Sequence, residues 1–154
     1  EVKSVPIYQF KVADSSYFIF DSTTGSINGY VFSATSLNKN LVIPDSINGK
    51  TVTRIADWAF SNVGLTSVSF PSTLTSIGAY AFSGNQLTSI DIPGTVVVIG
   101  AEAFRYNALT NIKIGAGVTV GDRLLTSTQN FRDAYLSGGA GTYVGTQTGV
   151  WTKQ

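Results

Sequence analysis

The chain has 154 residues, of which 43% are hydrophobic and only 12% are charged, and its formal net charge is +1. The length fits one domain or a compact array of repeats. The near-zero charge, without any run of Lys or Arg, argues against nucleic acid or an anionic membrane as the partner. No apolar stretch approaches the roughly 20 residues of a membrane-spanning helix, so we expect no membrane insertion.

Several residue types with distinctive chemistry are missing. The chain contains no Cys and no His, which removes the thiol nucleophile, the usual general base and the commonest metal ligand together. We therefore predict that the protein is not an enzyme and holds no metal or cofactor. Met is absent as well and the chain starts at Glu1, which we interpret as a processed or trimmed form that no longer carries any signal peptide.

Residues 1–40 are predicted to form an N-terminal β cap. Phe18 and Phe20 alternate with other residues before a DSTTG turn, and Ile27 follows that turn. Alternating apolar residues on both sides of a Gly-containing turn are typical of a β-hairpin.

Residues 41–121 repeat one phrase about every 22 residues, as in LTSVSFPSTLTSIGAYAF and LTSIDIPGTVVVIGAEAF. A fixed period of this length indicates a solenoid, in which stacked copies bury a common core. The first copy carries five extra residues around Asn48, which we interpret as a loop. The recurring columns are Ile55–Ile77–Ile99, Phe60–Phe82–Phe104, Leu65–Leu87–Leu109 and Val68–Ile90–Ile112.

The spacing within one copy predicts the path of each coil. Ile90 and Ile92 alternate with polar residues, as in a half-buried strand, and Pro93 ends that strand because it has no N–H to donate. A second short strand is expected in VVVIG. GAEAF is then predicted to form a helical or 3₁₀ turn that directs Phe104 into the core.

These residues resemble a known family. The pattern L-x-x-I-x-I-P-x-x-V-x-x-I-G-x-x-A-F, seen from Leu87 to Phe104, is similar to the BspA-like leucine-rich repeat. The resemblance implies a leucine-rich-repeat solenoid that serves as a binding or adhesion module of a secreted or cell-surface bacterial protein. It carries over no catalytic residues. Asn85 and Asn107 occupy a slot that often holds Cys in the family, and we expect them to bond to loop backbone.

Residues 122–154 are predicted to form a C-terminal cap of one helix and one hairpin. In the helix, Thr126 to Leu136, an apolar face is formed by Phe131, Ala134 and Tyr135, and Gly138-Gly139 stops it. In the hairpin, the turn lies at Thr146 to Gly149, and the flanking residues are Tyr143, Val144, Val150 and Trp151.

Outward columns hold the candidate binding residues, since the inward columns are used by the core. On the turn side one column runs Trp58, Tyr80, Glu102, and Arg105-Tyr106 follow nearby. One strand spacing, about 4.7–4.9 Å, would let the two aromatic rings stack. On the strand face, Asp91 should pair with Lys113. The aromatic residues could be binding anchors or could simply pack on the neighbouring coil.

Three functions remain open from the sequence. The first is recognition of a protein or glycan through the exposed columns. The second is a structural spacer or self-assembly unit, with weak self-association through Val97 and Val98 or through an uncapped end. Val97 and Val98 are expected to form an apolar patch with Val120, which could instead be covered by a cap. The third, an enzyme, would need a cleft that joins Asp91, Glu102 or Asp122. The glycine-rich IKIGAGVTVG lacks the helix of a dinucleotide site and is interpreted as turn structure.

Overall fold

The computed structural model describes residues 17–30, 39–125, 128–145 and 150–154, with the side chains of 128–130 excluded. Within these residues the backbone forms fourteen short strands and one helix. In chain order they are β1 (Phe18–Asp21), β2 (Ser26–Tyr30), β3 (Asn40–Val42), β4 (Ser46–Ile47), β5 (Lys50–Thr51), β6 (Arg54–Ile55), β7 (Ser67–Ser69), β8 (Ser76–Ile77), β9 (Ser89–Asp91), β10 (Val98–Ile99), β11 (Asn111–Ile114), β12 (Thr119–Val120), α1 (Thr128–Gly138), β13 (Gly141–Gly145) and β14 (Trp151–Lys153).

Each full repeat contributes two strands, as the alternation of apolar residues predicts. The second strands, β6, β8, β10 and β12, pair in parallel with one another, so that Ile55 lies beside Ile77 and Ile77 beside Ile99. The first strands pair in the same sense, β3 with β7 and β9 with β11. Parallel pairing of equivalent strands places successive repeats side by side, and the chain therefore has a repeat fold.

The phenylalanine column forms the centre of the core. Phe60 is 1% exposed, and Phe82 and Phe104 are fully buried. The Phe82 ring stacks on Phe60 with a centroid distance of 5.2 Å and on Phe104 at 5.4 Å. The predicted ladder of inward phenylalanines is confirmed, and it explains why the sequence returns to Ala-Phe once in each repeat.

The turn before each phenylalanine is not helical, and the prediction of a helical or 3₁₀ turn is wrong. The turn N–H groups donate mainly to the next repeat: Trp58 N to Ala79 O at 3.0 Å, and Phe60 N to Ala81 O at 2.8 Å. The same pattern recurs one repeat on, from Tyr80 N to Ala101 O. A helix would direct these groups along its own axis, whereas here they form a ladder between neighbouring turns.

Two asparagines form the ladder that the sequence predicts. The Asn85 amide nitrogen donates to Phe60 O and Phe82 O, both at 2.8 Å, and its oxygen accepts from Leu65 N at 2.9 Å. Asn107 makes the equivalent contacts one repeat later. Each asparagine therefore satisfies backbone groups in its own and the preceding repeat, which is a structural role.

The five extra residues of the first copy form a hairpin rather than an open loop. Strands β4 and β5 pair antiparallel, with Ile47 opposite Lys50. Asn48 and Gly49 connect them with φ of +51° and +75°, the left-handed backbone that a tight two-residue hairpin turn requires. The extra residues thus form a tight hairpin in which Ile47 remains buried in the core.

The last repeat is one residue shorter, which changes the assignment of Val120. Val120 lies beside Ile99 in the parallel sheet and is 7% exposed. It belongs to the inward isoleucine column, so its predicted place in an exposed patch with Val97 and Val98 is wrong. Val97 and Val98 are exposed as expected, by 60% and 40%.

A glycine column follows the second strands and lets neighbouring turns approach closely. A Cβ on Gly100 would lie 2.4 Å from Ala79 N, and one on Gly121 would lie 2.4 Å from Ala101 N. Real Cβ atoms do not come so near to backbone, so only glycine fits between the turns.

Hairpins flank the repeats on both sides. Strands β1 and β2 are antiparallel, and β2 continues the sheet of second strands through parallel pairing with β6. Strands β13 and β14 are antiparallel, and β13 joins β11. The predicted helix is present as α1, which buries Phe131 and Tyr135. Parts of the predicted caps at 1–16, 31–38, 126–127 and 146–149 lie outside the described residues, and the domain boundaries stay predictions.

Candidate functional site

Four bulky residues occupy the same position in successive turns, and all have left-handed backbone. Their φ angles are +62° at Trp58, +56° at Tyr80, +57° at Glu102 and +50° at Arg123. This region is unfavourable for residues other than Gly, Asn and Asp. We call these four residues, together with Arg105 and Tyr106, the turn ridge. Backbone conformations of this sparsely populated kind cluster at functional sites.

Trp58 and Tyr80 form an aromatic stack in which Trp58 is exposed and Tyr80 is half-buried. Their ring centroids lie 4.0 Å apart and the ring planes differ by 5°, which confirms the predicted stacking. The Trp58 side chain remains largely in solvent, since the residue is 58% exposed. Trp58 and Tyr80 are each followed by an Ala-Phe step whose side chains are buried in the core.

Glu102 links the stack to the rest of the ridge, but it is not an exposed residue as its column predicts. It is only 7% exposed, and its carboxylate accepts a hydrogen bond of 2.5 Å from Arg105 Nη1. The bond from Arg105 lowers the pKa of Glu102, with a further contribution from the Tyr80 hydroxyl. The interaction of the Tyr80 hydroxyl with Glu102 raises the pKa of Tyr80. Glu102 therefore stays ionised and holds both neighbours.

The ridge continues through Arg105 to Tyr106. The guanidinium carbon of Arg105 lies 4.4 Å from the centre of the Tyr106 ring, within the range of a cation–π contact. Tyr106 has φ of +56° and is 57% exposed. The turn ridge is thus connected from Trp58 to Tyr106 by the ring stack, the interaction of Tyr80 with Glu102, the hydrogen bond from Arg105 to Glu102 and the cation–π contact.

Arg123 was missed by the sequence analysis. It follows Glu102 by 21 residues rather than 22, because the last repeat is one residue shorter. Its guanidinium lies 3.9 Å from the Glu102 carboxylate, and its side chain is 69% exposed. Backbone hydrogen bonds show that Arg123 is equivalent to Glu102. Tyr80 N donates to the carbonyl oxygen of the residue before Glu102, and Glu102 N likewise donates to that of Asp122, the residue before Arg123.

Comparison with known families decides the classification. The pattern of the BspA type leucine rich repeat region, in six copies, matches residues 46–140, which is more than half of the chain. The chain belongs to the BspA-type leucine-rich repeat family. Such BspA-type repeats suggest an interaction or adhesion module, and leucine-rich repeat domains generally bind proteins.

A solved structure supports the BspA-type repeat fold. The crystal structure of a T. pallidum leucine-rich repeat protein (TpLRR) is similar, with 24% identity and a TM-score of 0.59. The match covers 74% of this chain and 55% of that protein, so this chain spans little more than half of its length. At this identity the likeness shows the fold alone. Comparison with curated proteins gave no match.

The remaining predicted site residues lie elsewhere on the BspA-type repeats. Lys113 Nζ bonds to Asp91 Oδ2 at 2.8 Å, between the neighbouring strands β9 and β11. Both side chains are more than 60% exposed, so the predicted pair is confirmed but its energy is small. The structure thus divides the predicted site residues into the turn ridge and a separate ion pair on the strand face.

The three carboxylates considered for catalysis each have a basic partner. Asp91 is paired with Lys113, Glu102 with Arg105 and Asp122 with Arg132. In the described part of the chain, no group of three or more Asp or Glu side chains is arranged to hold a metal ion. No helix there has the length and apolar character needed to cross a membrane.

Proposed function

We propose that this chain is a non-catalytic binding module of a secreted or cell-surface bacterial protein, and that it recognises a protein or glycan through the turn ridge. The family supplies the coarse function, an interaction or adhesion repeat. The observation that favours the ridge over the strand face is the stack of the exposed Trp58 on the half-buried Tyr80, two residues with left-handed backbone.

The strand face supports recognition less well. Its outward positions carry small polar residues, and several of their hydroxyls are bonded within the face, as from Thr66 and Ser67 to Asn40. Trp and Tyr are enriched among residues that dominate binding energy, whereas Ser and Thr are under-represented. The ridge therefore offers the anchors, and the strand face offers a polar coat.

Binding experiments with a matched pair of variants test this proposal. The wild-type chain is screened against a glycan array and a phage-displayed peptide library, and each saturable ligand is measured again with the double variant Trp58→Asn/Tyr80→Asn. Asn tolerates left-handed backbone, so the variant should fold. We expect affinity to fall about tenfold or more, while Lys113→Gln on the strand face leaves it unchanged.

Two results would contradict the proposal. A ligand that the double variant binds as tightly as the wild type would place the site outside the ridge. If neither collection yields a saturable ligand, the chain is not a recognition module of this kind. The second candidate function, a spacer or self-assembly unit, is then favoured by the exposed pair Val97 and Val98. That alternative predicts a dimer in sedimentation that Val97→Thr/Val98→Thr reduces.

We also propose that the flanking hairpins act as caps of a solenoid. Strand β2 covers the edge of β6, and β13 covers the edge of β11, so each hairpin occupies a position where another repeat would otherwise pair. Terminal repeats without such cover would expose core to water. Deletion of residues 141–154 should therefore expose apolar surface, measured as increased binding of a dye such as ANS, and unchanged dye binding would contradict the proposal.

A further inference from the structure

We propose that the turn ridge binds a protein partner through an extended polypeptide segment, which carries a large apolar side chain and a carboxylate about four residues apart. This inference rests on the proposed function, because it names the class of ligand for the same site. It assigns the apolar side chain to the stack of the exposed Trp58 on Tyr80, and the carboxylate to Arg123.

The surface left open by the ridge favours a protein over a glycan. One face of the Tyr80 ring is covered by Trp58, and its hydroxyl is engaged by Glu102. Arg105 is likewise used by Glu102 and by the Tyr106 ring. Few hydrogen-bonding groups therefore remain for sugar hydroxyls, whereas the aromatic edges and methylene groups suit apolar side chains. Trp, Tyr and Arg are also the residues enriched at protein interfaces.

The charges at the other end of the ridge favour an acidic group. The ion pairs there join three guanidinium groups, those of Arg105, Arg123 and Arg132, to the two carboxylates of Glu102 and Asp122. Glu102 lies 2.5 Å from Arg105 but 3.9 Å from Arg123. Arg123 thus has the weakest pairing of the three and an exposed guanidinium, which can take a carboxylate from a partner in a bidentate contact.

The geometry of the repeats sets the spacing between the two contacts. Trp58 and Arg123 occupy equivalent turns, three steps apart along the stack of repeats. Neighbouring parallel strands are separated by about 4.7–4.9 Å, so three steps amount to about 14 Å. An extended chain advances about 3.3–3.4 Å per residue, and side chains four residues apart lie on one face. A segment that crosses the turns can therefore reach both ends with residues i and i+4.

The ridge is organised before any partner arrives. Arg105 Nη1 donates to the Glu102 carboxylate at 2.5 Å, Glu102 also interacts with Tyr80, and Tyr80 in turn stacks on Trp58. Side chains that are already fixed lose less entropy on binding. The same left-handed backbone recurs at four consecutive turns, so that Trp58 and Arg123 occupy equivalent positions at the two ends of the ridge.

Phage display of random 12-residue peptides tests the inference. The wild-type chain is used for selection, and the double variant Trp58→Asn/Tyr80→Asn is used to remove peptides that bind elsewhere. We expect the enriched peptides to share a large apolar residue and, four positions from it, Asp or Glu. Their dissociation constants should rise about tenfold or more both with Arg123→Asn and when the peptide acid is changed to its amide. Lys113→Gln serves as the control and should change the constant less than about twofold.

Salt dependence separates the two contacts. Because the Arg123 contact is exposed, raising the ionic strength from about 0.1 M to 1 M should weaken peptide binding to the wild type. The Arg123→Asn variant should lose most of that dependence, while the double aromatic variant should keep it. Thermal unfolding of each variant verifies that it is folded before its affinity is compared.

The outcomes distinguish this inference from the proposed function. Peptides that depend on the aromatic pair but share no acidic residue would overturn the inference and leave the binding module intact. The inference would also be overturned, and the binding module kept, if only glycans bind in a ridge-dependent way. A dimer in sedimentation that Trp58→Asn/Tyr80→Asn dissociates would have the same consequence. Absence of any saturable peptide or glycan would overturn both.

Discussion

Replacement of Trp58 by Gly and, separately, by Ala tests whether the backbone under the ridge is strained. Trp58 has φ of +62°. Left-handed backbone costs an ordinary L-residue about 1–2 kcal/mol, whereas Gly adopts it without a steric penalty. Both variants lose the whole stack with Tyr80, so the difference between their free energies of unfolding isolates the contribution of the backbone.

The unfolded state opposes part of this difference. Gly has more conformational freedom than Ala in the unfolded chain, and this lowers the stability of the Gly variant by about 0.4–1 kcal/mol. The balance predicts that Trp58→Gly is more stable than Trp58→Ala by about 0.5–1 kcal/mol. Urea denaturation followed by far-UV circular dichroism measures this difference. In a thermal melt the same free energy corresponds to about 1–4 °C for a domain of this size.

The same pair of substitutions at Ser89 provides the control. Ser89 is exposed in strand β9 and is not among the residues with positive φ. In a strand, Gly should be less stable than Ala by roughly 0.5–1 kcal/mol, so the order of the two variants should reverse. If Trp58→Ala proves as stable as Trp58→Gly, or if both positions rank the variants alike, the ridge carries no backbone strain and the argument from strain to function fails.

Four further changes test other parts of the structure. Phe82→Ala removes a fully buried ring that stacks on two others, and it should lower the free energy of unfolding by about 3–5 kcal/mol in denaturant melts; a loss below about 1 kcal/mol would contradict the ladder. Asn85→Ala leaves buried carbonyl and N–H groups unpaired and should cost roughly 1–3 kcal/mol, more than Asn107→Ala, whose side chain is only part-buried. Glu102→Gln should make the free energy of unfolding less sensitive to acid. The pKa of Glu102 is lowered in the folded protein, so its carboxylate stabilises the fold above the usual pKa of glutamate, and this stabilisation is lost as the pH falls through the lowered pKa. Identical pH profiles of stability for the variant and the wild type would refute this. Lys113→Gln breaks an exposed pair and should cost less than about 1 kcal/mol, and a larger loss would show that the strand face is structural.

The core of the repeats could be predicted because it is periodic. A residue that recurs every 22 positions, such as Phe60, Phe82 and Phe104, must lie in an equivalent environment in each copy, and apolar identity then assigns it to the interior. The Asp91–Lys113 pair and the stack of Trp58 on Tyr80 follow from the same period, because equivalent outward positions become neighbours. These predictions require only the spacing of parallel strands.

The details of the turns could not be predicted in this way. Whether GAEAF becomes helical depends on where its N–H groups donate, and the ladder to the next repeat becomes visible only when the repeats are packed. The burial of Glu102 depends on Arg105, three residues later, folding back over the turn. Val120 was misassigned and Arg123 was missed because the loss of one residue shifts the register, and the sequence around Gly121 does not mark where that residue is missing.

The glycine column described above separates what must be kept in this chain from what is free to vary. Gly100 and Gly121 fit against the turn of the preceding repeat with no space for another atom, whereas two positions further on the chain holds Glu102 and Arg123, and in earlier repeats Trp58 and Tyr80. Each repeat therefore combines a fixed interior with one ridge position whose residue type differs between repeats although its backbone stays left-handed. Where that residue is exposed, as at Trp58 and Arg123, a substitution can change the surface without altering the residues that hold the turns together.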